Sequence, residues 1–404
     1  MAATVRWLLA SALLASTTAG AQGAPRRPSA NPQTASGARR PPIDMRPSTP
    51  RLDVPVTGQL VGPVAVDQEG SAVFGTDDGI LSLVTAEGEV RWSLLTGPPH
   101  GAPSVDDQGV SYVACGDLHM YAVGHDGKFV WTAPLGGSPK GGVTIGRDFL
   151  AVVLDSGVVR FFDRRRGTPL GAVVSGASPA AAPSLAAGGR LLVPGADGQL
   201  VAVDQGGVVW RTRISPAASL GPVAIDAAGA AYVGAADGSV ARVGSDGKVV
   251  WRTATAGPAT RSPVVGEHGR IYLSTGDALV ALEPASGAVR WRVPLGAAVG
   301  GGPLIADDGT LYVAVQGGAV SGSVSASVVA VSAAGKVTAR LALPSGGVVG
   351  LTLANHQLWI GTADRTLRRI AVPQRGLAPS SWAKARGGLA NAGAAALHAA
   401  APAP

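Results

Sequence analysis

Residues 221–251, GPVAIDAAGAAYVGAADGSVARVGSDGKVVW, decide the fold of this chain. The stretch contains four short apolar runs: Val223–Ile225, Ala231–Gly234, Val240–Val243 and Val249–Thr253. Glycine-containing turn signals separate the runs at 227–229, 237–238 and 246–247. Asp-Gly between alternating apolar residues favours a hairpin, because glycine supplies the positive φ that the turn needs. The stretch therefore predicts one small four-stranded antiparallel sheet, which cannot bury its apolar faces alone.

The same pattern recurs about every forty residues. Its closing element, Gly-x-Val-x-Trp or a near variant, ends in tryptophan at five positions: Trp92, Trp131, Trp210, Trp251 and Trp291. Its opening element, a small residue followed by proline, recurs at Pro63, Pro103, Pro183, Pro222, Pro263 and Pro303. Degenerate openings near 143 and 351 complete eight units. Four strands per forty residues are typical of propeller blades. The sequence thus predicts an all-β, eight-bladed β-propeller of four-stranded antiparallel blades.

The two ends of the repeat array complement each other. The eighth unit has three predicted strands, at about 349–354, 357–361 and 366–372, but it lacks a closing element. Arg51–Val56 precedes the first unit at the offset that Arg91 keeps from Pro103. We therefore expect this N-terminal strand to close the last blade and to leave no open sheet edge.

The segments outside 51–390, which we assign to the propeller and its C-terminal Trp/Arg-Gly segment, differ from it in composition. Residues 1–21 predict a secretory signal peptide, with Arg6, an apolar core and Ala19-Gly-Ala21 as the cleavage site. Residues 22–50 are rich in Pro, Ser and Arg and predict a disordered linker, and 391–404 predict a disordered Ala/Pro tail. No cysteine lies near the cleavage site, so we expect an exported protein, periplasmic or extracellular, without a lipid anchor.

The net charge of +7 is concentrated in the tails. Residues 1–51 contain seven arginines and one aspartate, and 373–404 contain three basic and no acidic residues. The remaining 23 basic and 25 acidic residues nearly balance on the ring. A nucleic-acid partner is therefore not expected, since such a partner needs a basic surface. No apolar run after the signal peptide is long enough for a transmembrane helix.

The sequence offers little chemistry for catalysis. Gly-x-Ser-x-Gly, P-loop and His-Glu-x-x-His motifs are absent, and the six histidines are scattered. The closest pair, His119 and His125, spans a strand and its turn, which is poor spacing for a metal. The repeated Asp-Gly pairs are explained by turn geometry without calcium. Cys115 is the single cysteine and lies in an alternating strand, where we expect a small buried side chain.

Three features are candidates for binding. The five repeated tryptophans could form a ligand platform, but their fixed place in the repeat favours a structural role in docking each blade against the next. A basic turn, Arg164-Arg165-Arg166, could meet an acidic partner. The seventh unit carries a Gly/Ser-rich insertion at 316–327, and repeat insertions often lie on a binding face. From these two features we select candidate partner-binding residues: Arg164, Arg165, Arg166, Gln316, Ser321 and Ser323.

These repeats resemble the pyrroloquinoline-quinone (PQQ) repeat family, whose blades carry an Ala-x-Asp-x-x-Thr-Gly-x-x-x-Trp motif. Residues 281–291, ALEPASGAVRW, match it in length, with Glu283 for Asp and Ser286 for Thr. Residues 382–387, WAKARG, resemble the Trp-x-x-x-Arg-Gly segment often found beside such propellers. Within the family, BamB-like periplasmic scaffolds are similar in length. Quinoprotein alcohol dehydrogenases are longer and hold PQQ with calcium beneath a disulfide that a single cysteine cannot form.

The resemblance and the residues together lead to one hypothesis and two alternatives. We expect a non-catalytic, monomeric exported scaffold that needs no cofactor and binds a protein or peptide in the cell envelope. The first alternative is a PQQ- and calcium-dependent dehydrogenase. The second is a polysaccharide-binding module, for which only Trp359 adds an aromatic beyond the repeated five, at a position that predicts core.

Overall fold

The computed structural model describes residues 51–394 except 217, 321–322 and 345–346, and side chains at 51 and 317–325 are not described. The described residues all belong to one compact unit, Pro42–Pro404. The predicted signal peptide, the linker and positions 395–404 of the predicted tail lie outside them. Eight four-stranded antiparallel sheets make up the described part of the chain.

The first four sheets, blades 1 to 4, follow one another along the chain. Blade 1 comprises β2 (Ala65–Val66), β3 (Ala72–Gly75), β4 (Ile80–Val84) and β5 (Val90–Leu95). Blade 2 comprises β6 (Ser104–Val105), β7 (Ser111–Ala114), β8 (His119–Val123) and β9 (Phe129–Pro134). Blade 3 comprises β10 (Thr144–Ile145), β11 (Phe149–Val153), β12 (Val158–Asp163) and β13 (Pro169–Val174). Blade 4 comprises β14 (Ser184–Leu185), β15 (Leu191–Pro194), β16 (Gln199–Asp204) and β17 (Gly207–Arg213).

Blades 5 to 8 repeat the arrangement. Blade 5 comprises β18 (Ala224–Ile225), β19 (Ala231–Gly234), β20 (Ser239–Val243) and β21 (Val249–Ala254). Blade 6 comprises β22 (Val264–Val265), β23 (Ile271–Thr275), β24 (Ala278–Leu282) and β25 (Val289–Pro294). Blade 7 comprises β26 (Leu304–Ile305), β27 (Leu311–Val320), β28 (Ser323–Val331) and β29 (Val337–Leu343). Blade 8 comprises β30 (Val348–Ala354), β31 (Gln357–Thr362), β32 (Thr366–Ala371) and β1 (Arg51–Pro55). Short 3₁₀ turns occur at Ala187–Gly189 and Glu267–Gly269.

The sheets form a ring with their first strands innermost. First strands of neighbouring blades contact each other, including β2 with β6 and β2 with β30, and the last pair closes the ring. Most inner strands are fully buried, whereas the last strands, such as β5, alternate between exposed and half-buried residues. The predicted all-β, eight-bladed propeller is confirmed.

The last blade takes its fourth strand from the start of the described chain. β1 pairs antiparallel with β32, with Val54 opposite Leu367. Leu52 occupies the repeat position of Trp92, and its side chain covers Gly88 in blade 1 as Trp92 covers Gly127 in blade 2. The closing strand therefore reproduces both the pairing and the blade-to-blade contact of the other outer strands.

The core consists of apolar layers between adjacent blades rather than one central mass. One layer joins Phe161 and Val159 of blade 3 to Leu191 and Val193 of blade 4, all almost completely buried. Burying each such side chain contributes about 1.5–3 kcal/mol. Because every blade buries apolar surface against its neighbours, the ring is the folding unit and a single blade is not.

Candidate functional site

The C-terminal segment crosses one end of the central channel. We call residues 374–394 the plug segment. Six backbone N–H groups of the innermost strands donate to carbonyl oxygens of the plug segment at 2.7–3.0 Å. The donors belong to Val66, Val105, Ile145, Leu185, Val265 and Ile305. The acceptors are, in the same order, Leu389, Ala390, Ala392, Gly393, Trp382 and Ala383. Because the donors come from six of the eight blades, on opposite sides of the ring, the segment closes this end of the channel.

Two polar side chains of the plug segment, Lys384 and Asn391, form a buried cluster with groups of blades 1, 2 and 8. Lys384 Nζ donates to Thr352 Oγ1 at 3.1 Å and to the Asn391 amide oxygen. Asn391 Nδ2 donates to the carbonyl oxygens of Pro63 and Pro103 at 2.9 and 3.2 Å. Burial, together with the charge of Arg386 nearby, lowers the pKa of Lys384 to about 7. The pKa of Lys384 therefore lies close to neutral pH.

Two sequence expectations bear on the plug segment. The Trp-x-x-x-Arg-Gly resemblance drew attention to Trp382 and Arg386, and Trp382 is buried in one apolar cluster with Ile225 of blade 5. The predicted boundary of the disordered tail at 391 is too early, because Asn391 is fully buried and Ala394 bridges to Leu185. The Ala- and Gly-rich composition of residues 391–394 resembles a tail. Backbone hydrogen bonds and the side chain of Asn391 hold these residues in place, and the sequence displays neither interaction.

The five repeated tryptophans lie between blades. Each ring covers a glycine in a turn of the following blade, and the glycines are Gly127, Gly167, Gly247, Gly287 and Gly335. Four of the indole N–H groups donate to a carbonyl oxygen of that blade at 2.8–3.3 Å, namely those of Trp92, Trp210, Trp251 and Trp291. A ring stacked in this way is engaged by protein on one face, which fits docking between blades better than a ligand platform.

In the basic turn of blade 3, Arg164 forms ion pairs, whereas the side chains of Arg165 and Arg166 are exposed. Arg164 Nη2 lies 3.3 Å from Asp107 and Arg164 Nε lies 3.9 Å from Asp106, and only 16% of the Arg164 side chain is exposed. Arg164 therefore links blade 3 to blade 2, and its role in binding a partner stays a prediction. Arg165 and Arg166 use their backbone N–H groups on Asp163 and keep exposed side chains.

The insertion of blade 7 lengthens its second and third strands. β27 and β28 continue to pair as far as Val320 opposite Ser323. Gln316 lies against Gly300 and Gly347, in loops that precede inner strands. Ser321 lies outside the described residues, and the side chain of Ser323 is not described.

Seven of the thirteen exposed large apolar residues in the described part of the chain lie on blades 1 to 3. Seven large apolar residues there are 43–72% exposed: Val90, Leu95, Leu118, Phe129, Val130, Leu170 and Val174. In the described parts of blades 4 to 7, the exposed large apolar residues are valines of the closing element alone. Phe129 packs against Tyr121 with ring centroids 5.7 Å apart, so an aromatic pair lies at the surface of blade 2. We call the seven residues the outer apolar face.

A groove adjoins this face between blades 2 and 3. It has a volume of about 400 Å³ and is lined by Val130, Trp131, Arg164 and Arg165, with Asp106 and Tyr112 at its inner end. Burial raises the pKa of Tyr112 far above its usual range, and its hydroxyl donates to Asp106 at 2.8 Å. The groove thus combines an apolar wall with charges of both signs, as protein-binding surfaces commonly do.

Other candidate chemical groups lie in structural positions. Cys115 is buried, and burial raises the pKa of its thiol to about 12, so the reactive thiolate is suppressed at neutral pH. Trp359 is buried beneath Arg369, whose guanidinium carbon lies 5.5 Å from the ring centroid. His125 Nδ1 lies 3.3 Å from Asp67 Oδ2, and His125 Nε2 lies 3.1 Å from Glu69 Oε2.

The cavity lined by the plug residues Trp382 and Arg386 lacks the carboxylate ligands of a calcium-held quinone. A central cavity of about 410 Å³ lies above the plug segment, between loops 100–102, 140–142 and 180–184 and the plug residues Trp382 and Arg386. No carboxylate lines it, whereas calcium takes six to eight oxygen ligands, many of them carboxylates. Among the described residues, no group of three or more His, Cys, Asp or Glu side chains is placed to hold a metal.

Comparisons with known proteins agree with this architecture. An eight-bladed ring closed by its first strand, with PQQ-like closing elements between its blades, defines a PQQ-repeat propeller. The family model described as outer membrane protein assembly factor BamB matches residues 155–261, 236–322 and 276–387, which together span more than half of the sequence. The chain belongs to this family. No functionally curated protein matches its sequence.

Solved structures share the fold at low sequence identity. BamB from Moraxella catarrhalis is similar with a TM-score of 0.64 and 19% identity, covering 79% of this chain and 97% of that protein. The computationally designed Ika8 protein gives 0.63 and 11%, covering 78% and 97%. Saccharomyces cerevisiae Sqt1 gives 0.67 and 13%, covering 81% and 100%. Within the described residues, no helix is long and apolar enough to cross a membrane.

Proposed function

We propose that this chain is a non-catalytic exported scaffold that binds protein partners in the cell envelope through the outer apolar face. The carrying observation is the group of seven exposed apolar side chains on three adjacent blades, where Phe129 also packs against Tyr121. Aromatic residues at a surface commonly carry much of the energy of protein binding. The family to which the chain belongs is described by its role in outer-membrane protein assembly, which supports an envelope partner.

The outer strands suit an extended partner. β5, β9 and β13 each pair on one side only, so backbone N–H and C=O groups on the other side are open. An extended peptide can add to such an edge, with main-chain hydrogen bonds supplying affinity and flanking apolar residues supplying specificity. A β-strand of an assembling envelope protein has this chemistry.

Two residues at the same repeat position allow a matched test. Val130 on the outer apolar face is 53% exposed, and Val250 in blade 5 is 52% exposed. With a photo-crosslinking amino acid at each position in cells, we expect envelope proteins to be captured at Val130 and not at Val250, with adducts identified by mass spectrometry. Equal capture at both positions, or capture of cytoplasmic proteins alone, would contradict the proposal.

A binding measurement with the captured protein then separates specific contact from proximity. Val130→Asp is expected to weaken binding at least tenfold, and Val250→Asp is expected to leave it unchanged. Export itself is tested by the mature N-terminus, which should be Gln22 if cleavage follows Ala21. Retention of residues 1–21 on a cytoplasmic protein would overturn the exported location.

A further inference from the structure

The central cavity is blind at one end and open at the other. Its floor is the plug segment, represented by Trp382, Ala385, Arg386 and Gly393. Its walls are the loops that precede the inner strands of blades 2 to 4, and His100 at one of them is exposed. A volume of about 410 Å³ lies within the usual range of small-molecule sites.

Every ionisable side chain that lines the cavity is basic. They are His100, Lys140 and Arg386, and the lining contains no aspartate or glutamate. Lys140 is balanced by Asp155, 3.6 Å away. Arg386 forms no ion pair with any described residue, and the buried ammonium group of Lys384 in the same plug segment has no carboxylate partner either. The floor of the cavity therefore carries positive charge that the described protein does not neutralise.

One nitrogen of Arg386 remains available. Nε donates to the carbonyl oxygen of Asn391 at 2.9 Å, and Nη2 donates to Ser104 Oγ at 3.3 Å and to the Val143 carbonyl oxygen. These bonds fix the guanidinium plane. Nη1 makes no hydrogen bond to a described residue, and Arg386 lines the cavity. Burial lowers the pKa of Arg386 to about 10, so the group still carries its charge at neutral pH.

The walls combine apolar surface with unpaired backbone donors. Ala102, Pro183, Pro222 and Trp382 supply apolar atoms. Backbone N–H groups at 101–102, 141–142 and 181–182 have no hydrogen-bond partner in the described part of the chain. These amides can donate to a ligand, but the side-chain charges set its sign. Apolar walls favour a ligand with a hydrocarbon or aromatic body over a small, strongly hydrated anion.

We propose that the central cavity binds a small organic carboxylate, whose oxygens meet Arg386 Nη1 at the floor and whose apolar body lies against the proline- and alanine-lined walls. A charge-assisted hydrogen bond to a preoriented guanidinium is about twice as strong as a neutral one. Binding would also neutralise the charge of the plug segment.

The test uses 3-phenylpropionate and its neutral analogue 3-phenylpropanamide with the purified full chain, by calorimetry and saturation-transfer NMR. We expect the acid to bind at least tenfold more tightly than the amide. Arg386→Gln should remove this preference, and Lys140→Gln should largely keep it because Asp155 already balances Lys140. Equal binding of acid and amide, or no binding of the acid at millimolar concentration, would overturn the proposal.

A second variant covers the case in which Arg386→Gln fails to fold, since Arg386 also anchors the plug segment. Ala181→Leu reduces the cavity from its wall without touching the plug. It should weaken binding of the acid at least tenfold while the circular dichroism spectrum stays unchanged. Undiminished binding of the acid to folded Ala181→Leu would place the ligand elsewhere and refute the assignment.

Discussion

Glycine in the turn of a closing element makes room for the tryptophan of the preceding blade. Gly287 has a φ of +72°, and a Cβ built there would lie 2.5 Å from Cε3 of Trp251. Gly207 shows the converse: the preceding blade ends in Gly171 instead of tryptophan, and a Cβ at Gly207 would meet nothing within 4 Å. The glycine and the tryptophan therefore form one packing contact, to which each of two neighbouring blades contributes one residue.

Replacing Gly287 by alanine should destabilise the ring more than the same change at Gly296. Both glycines have positive φ, +72° and +81°, but a Cβ at Gly296 would have open space. Gly296→Ala should cost about 1–2 kcal/mol from backbone strain alone. Gly287→Ala should cost roughly 1–3 kcal/mol more, because Trp251 must move. Urea unfolding followed by circular dichroism measures both, and equal losses would show that the stacked ring contributes nothing.

The buried Lys384 should make stability depend on pH. Its pKa is about 7 in the folded chain and near its ordinary value when unfolded. Between these values the unfolded chain holds a proton that the folded chain has released, so stability should rise as pH increases from about 7 towards 10. Below pH 7 both states are protonated and this contribution is constant.

The comparison with Lys384→Gln isolates that contribution from other titrating groups. Between pH 7 and pH 9, the melting temperature of the native chain should rise relative to that of the variant. If the difference in melting temperature between the two chains did not change over this interval, Lys384 would have the same pKa in the folded and unfolded states. A relative fall would reverse the sign and exclude a lowered pKa.

The plug segment stabilises the inner strands through backbone hydrogen bonds. Val66, Val105 and Ile145 donate to Leu389, Ala390 and Ala392 across the end of the channel. Removing residues 388–404 should therefore accelerate amide hydrogen exchange at these three positions, because each loses its acceptor. The amide of Ile225 is a control, since its blade makes no such backbone bond to the segment among the described residues.

Exchange that increases equally in blade 5 would mean that the truncated ring loosens as a whole. Exchange that stays unchanged at Val66, Val105 and Ile145 would mean that water replaces the lost acceptors without local opening. If the plug acts locally, the amides that respond should be those that lose an acceptor: Val66, Val105, Ile145 and also Leu185, whose acceptor Gly393 is removed as well.

The strands of the ring could be predicted because the same strand-and-turn pattern repeats several times in the sequence. Asp-Gly turns and closing tryptophans repeat at one spacing, so errors in single units cancel, and the predicted strands near 349, 357 and 366 agree with β30, β31 and β32. The plug segment occurs once in the sequence, and both backbone hydrogen bonds and the side chains of Lys384, Arg386 and Asn391 hold it. The repeat pattern therefore does not predict the path of the plug segment. It also does not predict the burial of Lys384 or the cavity above Arg386, because both depend on how the segment packs against the ring.

The candidate surfaces were only partly visible in the sequence for a similar reason. Arg164 and Arg165 look alike in a basic turn, yet the acids of the neighbouring blade engage Arg164 alone. Exposed valines occur at the same repeat position in several blades. The additional Leu95 and Val174 become recognisable as surface residues only when the outer strands are placed.

Closure of the whole ring depends on β1. Val54 is 7% exposed and packs in one cluster with Trp359 and Leu367. Val54→Asp should lower the apparent free energy of unfolding by about 3 kcal/mol or more, because an unpaired charge would be buried in that cluster. Detachment of β1 would also expose the edge of β32, so we expect dimers by light scattering.

Val90→Asp is the matched control for this prediction. Val90 lies on β5, the outer strand of blade 1, and is 55% exposed. The same chemical change there should alter stability by no more than about 0.5 kcal/mol. If Val54→Asp were monomeric and as stable as Val90→Asp, β1 would not be what holds the ring closed.

The pairing of β1 with β32 also constrains how the chain can fold as it is made. The two strands are more than 300 residues apart, so a chain that emerges amino-terminus first holds its closing strand ready long before its partner exists. Extra loop length adds only about 0.6 kcal/mol per doubling, so this separation costs little stability. It costs time, because non-local pairing is slow. Until the last blade has emerged, the growing ring has two unpaired ends, and holding it apart from other chains during that interval is a requirement that its topology places on the cell.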